Sequence, residues 1–296
     1  MGSQTACKFP VVDFTDEELK PGTAKWGSAC QVIRNALEDH GCFYALCDKV
    51  PMKLYNSVFT LMEELFDLPL ETKMQKISDK PYHGYYGQFA HLPLYESLGI
   101  NGPLTMEGVQ NFAKLMWPAG YDYFYETLSF YAKLLVELDH MTKRMVFDGY
   151  GLDKRHCDSL LESTNYMLRS FKYRVPQKDE KNLGLHAHTD TSPSLPFCIR
   201  IMIHCCEHRV MIINAKKERY SMGLFSLGGK MVQTPEELVD EVHPRRYKPF
   251  DHYEYLRYAT KRALESECRI KAFCGIDYAD ESVDEFLYLH ASQSWV

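Results

Sequence analysis

The chain has no run of lysines and arginines. Its 34 Lys and Arg are outnumbered by 40 Asp and Glu, for a net charge of −6. That balance argues against nucleic acid and against an anionic membrane as partners. No stretch approaches the roughly 18 consecutive apolar residues that a membrane span needs. The opening Met1 to Phe14 has no basic segment leading into an apolar one, so no secretory leader is expected. Ala6 stands where a myristoylation motif wants Ser or Thr. The ten cysteines are scattered without a repeated C-x-x-C spacing. They are expected as reduced thiols, which makes the cytoplasm the expected compartment. Internal repeats and low-complexity segments are also missing.

What is present reads as helices first and strands later. A short β-branched run, Phe9 to Phe14, is followed by a helical pattern over about 24–40, with Trp26, Ala29, Ile33 and Leu37 on one face. Gly41 is its expected stop. Cys42 to Leu46 reads as a second strand, and a second amphipathic helix covers about 52–66. The segment from Pro81 to Pro103, rich in Gly, Pro, His and Tyr, is expected to be a long loop. A third helix is expected over about 121–147, with Leu128, Tyr131, Leu135, Leu138 and Met145 as its stripe. From Tyr166 the pattern turns to short strands, and about 236–271 returns to helix-like sequence. This order predicts an α+β fold with a mostly antiparallel sheet.

The sharpest local feature is His186-Ala187-His188-Thr189-Asp190. On an extended strand, residues two apart share a face, so these side chains can converge on one metal ion. Taken alone, such a motif is better explained by a polar strand edge with solvated histidines. A zinc metallo-hydrolase of the H-x-H-x-D-H type is another candidate, but its sixth position is Thr191 here. A third candidate is the facial triad, two His and one carboxylate on one side of Fe(II), which needs a second His downstream. His208 opens the apolar run His208 to Ile213, which is followed by a polar turn, Asn214 to Glu218, and then Arg219 to Phe225. This pattern predicts a hairpin, with Arg219 and Ser221 on one strand face. An Arg fork beside a hydroxyl there can hold a carboxylate.

His188 and Asp190, then His208-Arg209-Val210, then Arg219 and Ser221 together resemble the plant-type iron(II)- and 2-oxoglutarate-dependent dioxygenases. Further pieces fall in order. They are Phe9 to Phe14, Asp39 to Tyr44, Phe66 to Pro69 with Glu71 and Lys73, Gly84 to Gly87, Pro235 to Asp240, and His243 to Tyr247. The glucosinolate side-chain-oxidising branch is the most similar, with the auxin-oxidising branch near it. The resemblance implies that His188, Asp190 and His208 bind Fe(II), and that Arg219 and Ser221 hold the distal carboxylate of 2-oxoglutarate. Tyr173 resembles a tyrosine that helps hold that co-substrate. The implied reaction couples oxidative decarboxylation of 2-oxoglutarate to oxidation of a small organic metabolite. The implied fold is an N-terminal helical support packed on a double-stranded β-helix, or jelly roll.

The match has one break. Only 17 residues separate Asp190 from His208. Four strands with their turns need on the order of 30 residues. The barrel is therefore expected to be incomplete, as a deletion or a skipped exon would leave it. An inactive, truncated pseudoenzyme is then the rival reading to a working dioxygenase. The expected organisation is an N-terminal dioxygenase region over 1–118. The core follows over 119–296, shortened between 190 and 208 and ending in helical sequence. The expected partner is a small molecule, with no nucleic acid and no membrane.

Overall fold

The structure is a computed structural model that describes residues 9–188, 208–229, 231–241, 244–262 and 269–276. In chain order, β1 (Val11–Asp13), α1 (Ala24–Asp39), β2 (Tyr44–Leu46), α2 (Met52–Asp67) and α3 (Leu70–Met74) come first. Next are β3 (Tyr85–Phe89), β4 (Leu92–Asn101), α4 (Met106–Met116), α5 (Asp122–Gly149) and α6 (Lys154–Ser163). The strands β5 (Asn165–Tyr173), β6 (Leu183–His188), β7 (His208–Met211) and β8 (Arg219–Leu227) follow. The described C-terminal part holds β9 (Met231–Val232), β10 (Phe250–Asp251), α7 (His252–Lys261) and α8 (Arg269–Cys274). The α+β expectation matches this content.

The helices form for the reasons their sequences offer. The Thr23 hydroxyl accepts from the Trp26 amide at 3.1 Å and caps α1. Gly41 follows the helix with φ +71°, a conformation glycine takes without steric cost. Trp26, Ile33 and Leu37 of the expected stripe are buried, with Cys30 and Ala36 beside them. The indole N–H of Trp26 reaches the Asp148 carboxylate at 2.7 Å and so ties α1 to the end of α5.

An antiparallel sheet in the order β3-β4-β5-β8 organises the molecule. Its two faces are sorted by the period of two. Leu98 and Ile100 of β4, Leu168 of β5, and Tyr220, Met222 and Leu224 of β8 meet α2, α4 and α5 in one apolar core. The expected helical support is therefore observed. The helices α2 and α5 lie on one sheet face, and α1 packs behind them on α5 and α6. Leu98 is fully buried in that core. Leu98→Ala is expected to lower the unfolding free energy by about 2–5 kcal/mol, because the cavity it leaves collapses only partly. A urea titration followed by circular dichroism checks this, and a shift under roughly 1 kcal/mol would contradict the packing.

Two expectations are corrected here. The segment from Pro81 to Pro103 is not a loop but holds the β3–β4 hairpin, with a register shift between Gly87 and Phe89. Its β4 strand is buried on both faces, so it lacks the polar alternation that announces a half-buried strand. The second correction concerns His208 to Phe225. β7 and β8 do not pair with each other. β7 pairs with β6, and β8 pairs with β5 over nine residues, from Asn165↔Leu227 to Tyr173↔Arg219. Ile212 is buried and its amide donates to the Asn182 carbonyl at 2.8 Å, and Asn214 follows at φ +51°. The chain thus crosses from one sheet to the other. A crossover and a hairpin leave the same pattern of two apolar runs around a polar turn. The choice falls to the long open edge of β5, which satisfies far more backbone groups than four-residue β7 can.

Candidate functional site

The sheet face turned away from the helices lines a cavity of about 780 Å³. β5 contributes Met167, Arg169, Phe171 and Tyr173, two apart along the strand, and β8 contributes Arg219, Ser221, Phe225 and Leu227. The β6–β7 pair forms part of the facing wall through Leu185, His188, His208 and Val210. One end is narrowed by α7, whose Leu256 packs on Met167 and Leu227.

His188 and His208 are register partners across β6 and β7, with ring centroids 4.2 Å apart. The Nδ1 of His188 lies 2.8 Å from the His186 carbonyl. A carbonyl can only accept, so Nδ1 carries the proton in that bond and Nε2 of the neutral ring keeps its lone pair. This is the usual arrangement behind a metal-ligating imidazole. His186 itself is a neighbour in the wall, with its ring stacked 6.0 Å from His91. Asp190 lies outside the described residues, as do His204, His243 and His290. Among the described residues no group of three metal-ligating side chains occurs.

Arg219 and Ser221 share a face as expected, with Nη1 donating to the Ser221 hydroxyl at 3.4 Å. The Arg219 guanidinium sits 5.3 Å from the centre of the Tyr173 ring, its register partner on β5. Tyr173 is only 2% exposed. Burial, reinforced by Tyr95, pushes its hydroxyl far above the usual tyrosine range despite the opposing pull of Arg219. It is therefore a neutral phenol at any physiological pH.

Five residues singled out in the sequence, His188, His208, Arg219, Ser221 and Tyr173, thus line one cavity. Arg169 escaped the sequence reading. It is buried on β5, a strand that also holds Ser170 and Lys172, so its charge did not stand out in the sequence. Tyr82 and Tyr95, which also line the cavity, were lost inside the segment read as a loop.

Comparison with known proteins agrees with this architecture. Residues 9–107 match the family model of the non-haem dioxygenase in morphine synthesis, N-terminal. The probable 2-oxoglutarate-dependent dioxygenase AOP1 of Arabidopsis thaliana is 38% identical over 297 aligned positions, covering 85% of this chain and 90% of the relative. That share of 296 residues is about 252, so about 45 aligned positions of the relative have no counterpart here. The dioxygenase for auxin oxidation from rice superposes with a TM-score of 0.73 at 21% identity, covering 91% of this chain and all of that one. The 2-oxoglutarate complex of the Arabidopsis thaliana dioxygenase for auxin oxidation 1 superposes with a TM-score of 0.66, covering 80% of this chain and all of that one. On the extent of these matches, the chain belongs to the plant 2-oxoglutarate-dependent dioxygenases.

Proposed function

We propose that this chain uses Fe(II) and 2-oxoglutarate to oxidise a small organic metabolite. His188, Asp190 and His208 are the proposed metal ligands, and Arg219, Ser221 and Tyr173 the proposed co-substrate contacts. One observation carries the reading. The paired imidazoles of His188 and His208 line the same cavity as the Arg219–Ser221 face, although β7 and β8 lie in different sheets. The donor set fits a hard-to-borderline divalent metal, with two imidazoles and an adjacent carboxylate in the sequence. Bound iron together with 2-oxoglutarate would supply the oxidising chemistry, driven by decarboxylation of the co-substrate. The chain's own residues orient and exclude. Arg219 offers a planar fork to a carboxylate, and Ser221 adds a hydroxyl donor. The buried Tyr173 ring fixes the guanidinium from one side, and the apolar wall of Leu185, Val210 and Phe225 keeps water from the reacting face. In this reading the four-stranded sheet and the β6–β7 pair are the two halves of a double-stranded β-helix, the second half shortened. Residues 1–118 and 119–296 are its N-terminal region and its core.

The test is co-substrate affinity. Arg219→Gln is expected to weaken 2-oxoglutarate binding by roughly 10- to 100-fold, the loss of a charged two-point contact. Calorimetric titration of the full chain measures it. Unchanged affinity in a folded variant would remove Arg219 from the site.

A second reading is an impaired or inactive form of the same site. Only 17 residues join Asp190 to His208, and about 45 positions of the AOP1 relative are unmatched in this chain. The short interval leaves fewer residues than the four strands and turns that would hold the metal ligands in place need.

A further inference from the structure

Five of the chain's 40 Asp and Glu fall in residues 277–296, as Asp277, Asp280, Glu281, Asp284 and Glu285, and none of its 34 Lys and Arg do. That one segment therefore carries nearly all of the net charge of −6. It also holds an apolar run, Phe286 to Leu289, directly after the last acid. Such a segment is complementary to a surface that sets cations beside apolar side chains. It lies outside the described residues, and its point of departure lies within them.

That point is fixed beside the cavity. The Ile276 amide donates to the Arg246 carbonyl at 2.8 Å, and the Lys248 amide donates to the Cys274 carbonyl at 2.8 Å. Phe273 and Cys274 pack with Phe250, Tyr255 and Ala259, which locks α8 onto α7. Both helices border the cavity. α7 lines it with Leu256, Thr260 and Lys261, the next residue adds Arg262, and α8 adds Arg269. Lys261 and Arg262 are exposed, and Arg269 is half-buried. The Arg262 guanidinium stands 4.6 Å from the centre of the Tyr258 ring and donates to its hydroxyl at 2.6 Å. No Asp or Glu stands among the described lining residues. The same cavity carries the apolar wall of Leu185, Val210, Phe225 and Leu256.

Reach completes the match. Arg269 opens the six-residue α8, and Ile276 follows two residues after its end, so the segment sets out within roughly 15 Å of the cationic edge. Twenty residues cover about 25 Å even as an unstructured coil. A tether of that length holds the acids at an effective concentration on the order of millimolar, where individually weak ion pairs act together.

We propose that residues 277–296 are an autoinhibitory segment. Its acids dock on Lys261, Arg262 and Arg269, its apolar run enters the cavity, and it competes there with anionic ligands. The docking stands on charge, apolar match and reach. Its competition with 2-oxoglutarate rests in addition on the dioxygenase reading.

Zero-length carbodiimide coupling of the full chain tests the docking. The reagent joins carboxylates to amines in contact, and Lys261 is the amine among the three cations. Peptide mapping by mass spectrometry is expected to join Lys261 to Asp280, Glu281, Asp284 or Glu285 of the same chain, with the yield cut severalfold in about 0.5 M salt. The second arm is calorimetric titration of 2-oxoglutarate into the native chain and into the full chain carrying Asp280→Asn, Glu281→Gln, Asp284→Asn and Glu285→Gln. The neutralised chain is expected to bind roughly three- to tenfold more tightly at low salt, with the difference falling under about twofold at the higher salt. Coupling of Lys261 to Glu265 or Glu267 alone, coupling between two chains alone, or no coupling would overturn the proposal. Equal 2-oxoglutarate affinity of the two chains at low salt would overturn it as well. If 2-oxoglutarate binds to neither chain, the dioxygenase reading fails, and the coupling by itself decides the docking.

Discussion

His208→Ala is expected to abolish metal retention. In an anaerobic titration with Fe(II) and 2-oxoglutarate, the visible charge-transfer band of the chelate should be missing from the variant at every iron concentration that develops it in the native chain. His208 pairs in register with His188, and their rings stand 4.2 Å apart, so alanine leaves one imidazole where two now face each other. On the proposed triad the variant keeps two ligands of three and loses the chelation by which a facial triad holds iron. The loss in iron affinity should exceed the roughly 10- to 100-fold that follows from removing an outer-shell partner. The variant is expected to keep its fold, because the His208 side chain is exposed to the cavity rather than packed in a core. Equal bands in native chain and variant, with both folded by circular dichroism, would show that His208 is no ligand.

The second large effect concerns the native chain itself. Its turnover of 2-oxoglutarate to succinate is expected to fall on the order of 100-fold below that of a full-length relative, with iron bound at least about tenfold more weakly. Every side-chain type the chemistry needs is present, so the deficit is one of support. Ligands must be held to within about half an ångström by neighbours that lock their rotamers. Among the described residues the β6–β7 pair is two strands wide, against four in the sheet it faces. The 17 residues between Asp190 and His208 are fewer than the roughly 30 that four strands with their turns need. Poor shielding of the metal from water would add unproductive oxidation. Stoichiometric iron, a full charge-transfer band and succinate formation at a relative's rate would together refute this and make the shortened barrel a working one.

How far the sequence reached depends on how local each signal is. The helices over 24–39, 52–67 and 122–149 were legible because an amphipathic helix needs only its own stripe and caps to declare itself. Thr23 and Gly41 mark the ends of α1 by backbone chemistry that acts within four residues. Arg219 and Ser221 were placed on one face by the period of two alone, and the structure keeps them there. The β3–β4 hairpin was missed because β4, buried on both faces, carries no alternation to read. The helices α4 and α6 were missed as well, being short and flanked by glycine, proline and charge.

Residue type and spacing by themselves determined the helical stripes, the face shared by Arg219 and Ser221, the ordered motifs that resemble the dioxygenases, and the short interval after Asp190. These are properties of neighbours along the chain. Partner choice is not, and only the tertiary structure decided it. β8 joined β5 rather than β7 because a nine-residue edge satisfies more backbone hydrogen bonds than a four-residue one. That choice brought the face of Arg219 and Ser221 and the two histidines into one cavity from different sheets. It also set Arg169 between two glycines in the same wall. The partners of its guanidinium, Tyr82, Tyr95 and Ser97, are distant from it in sequence and near only in space, so only the fold could bring them together.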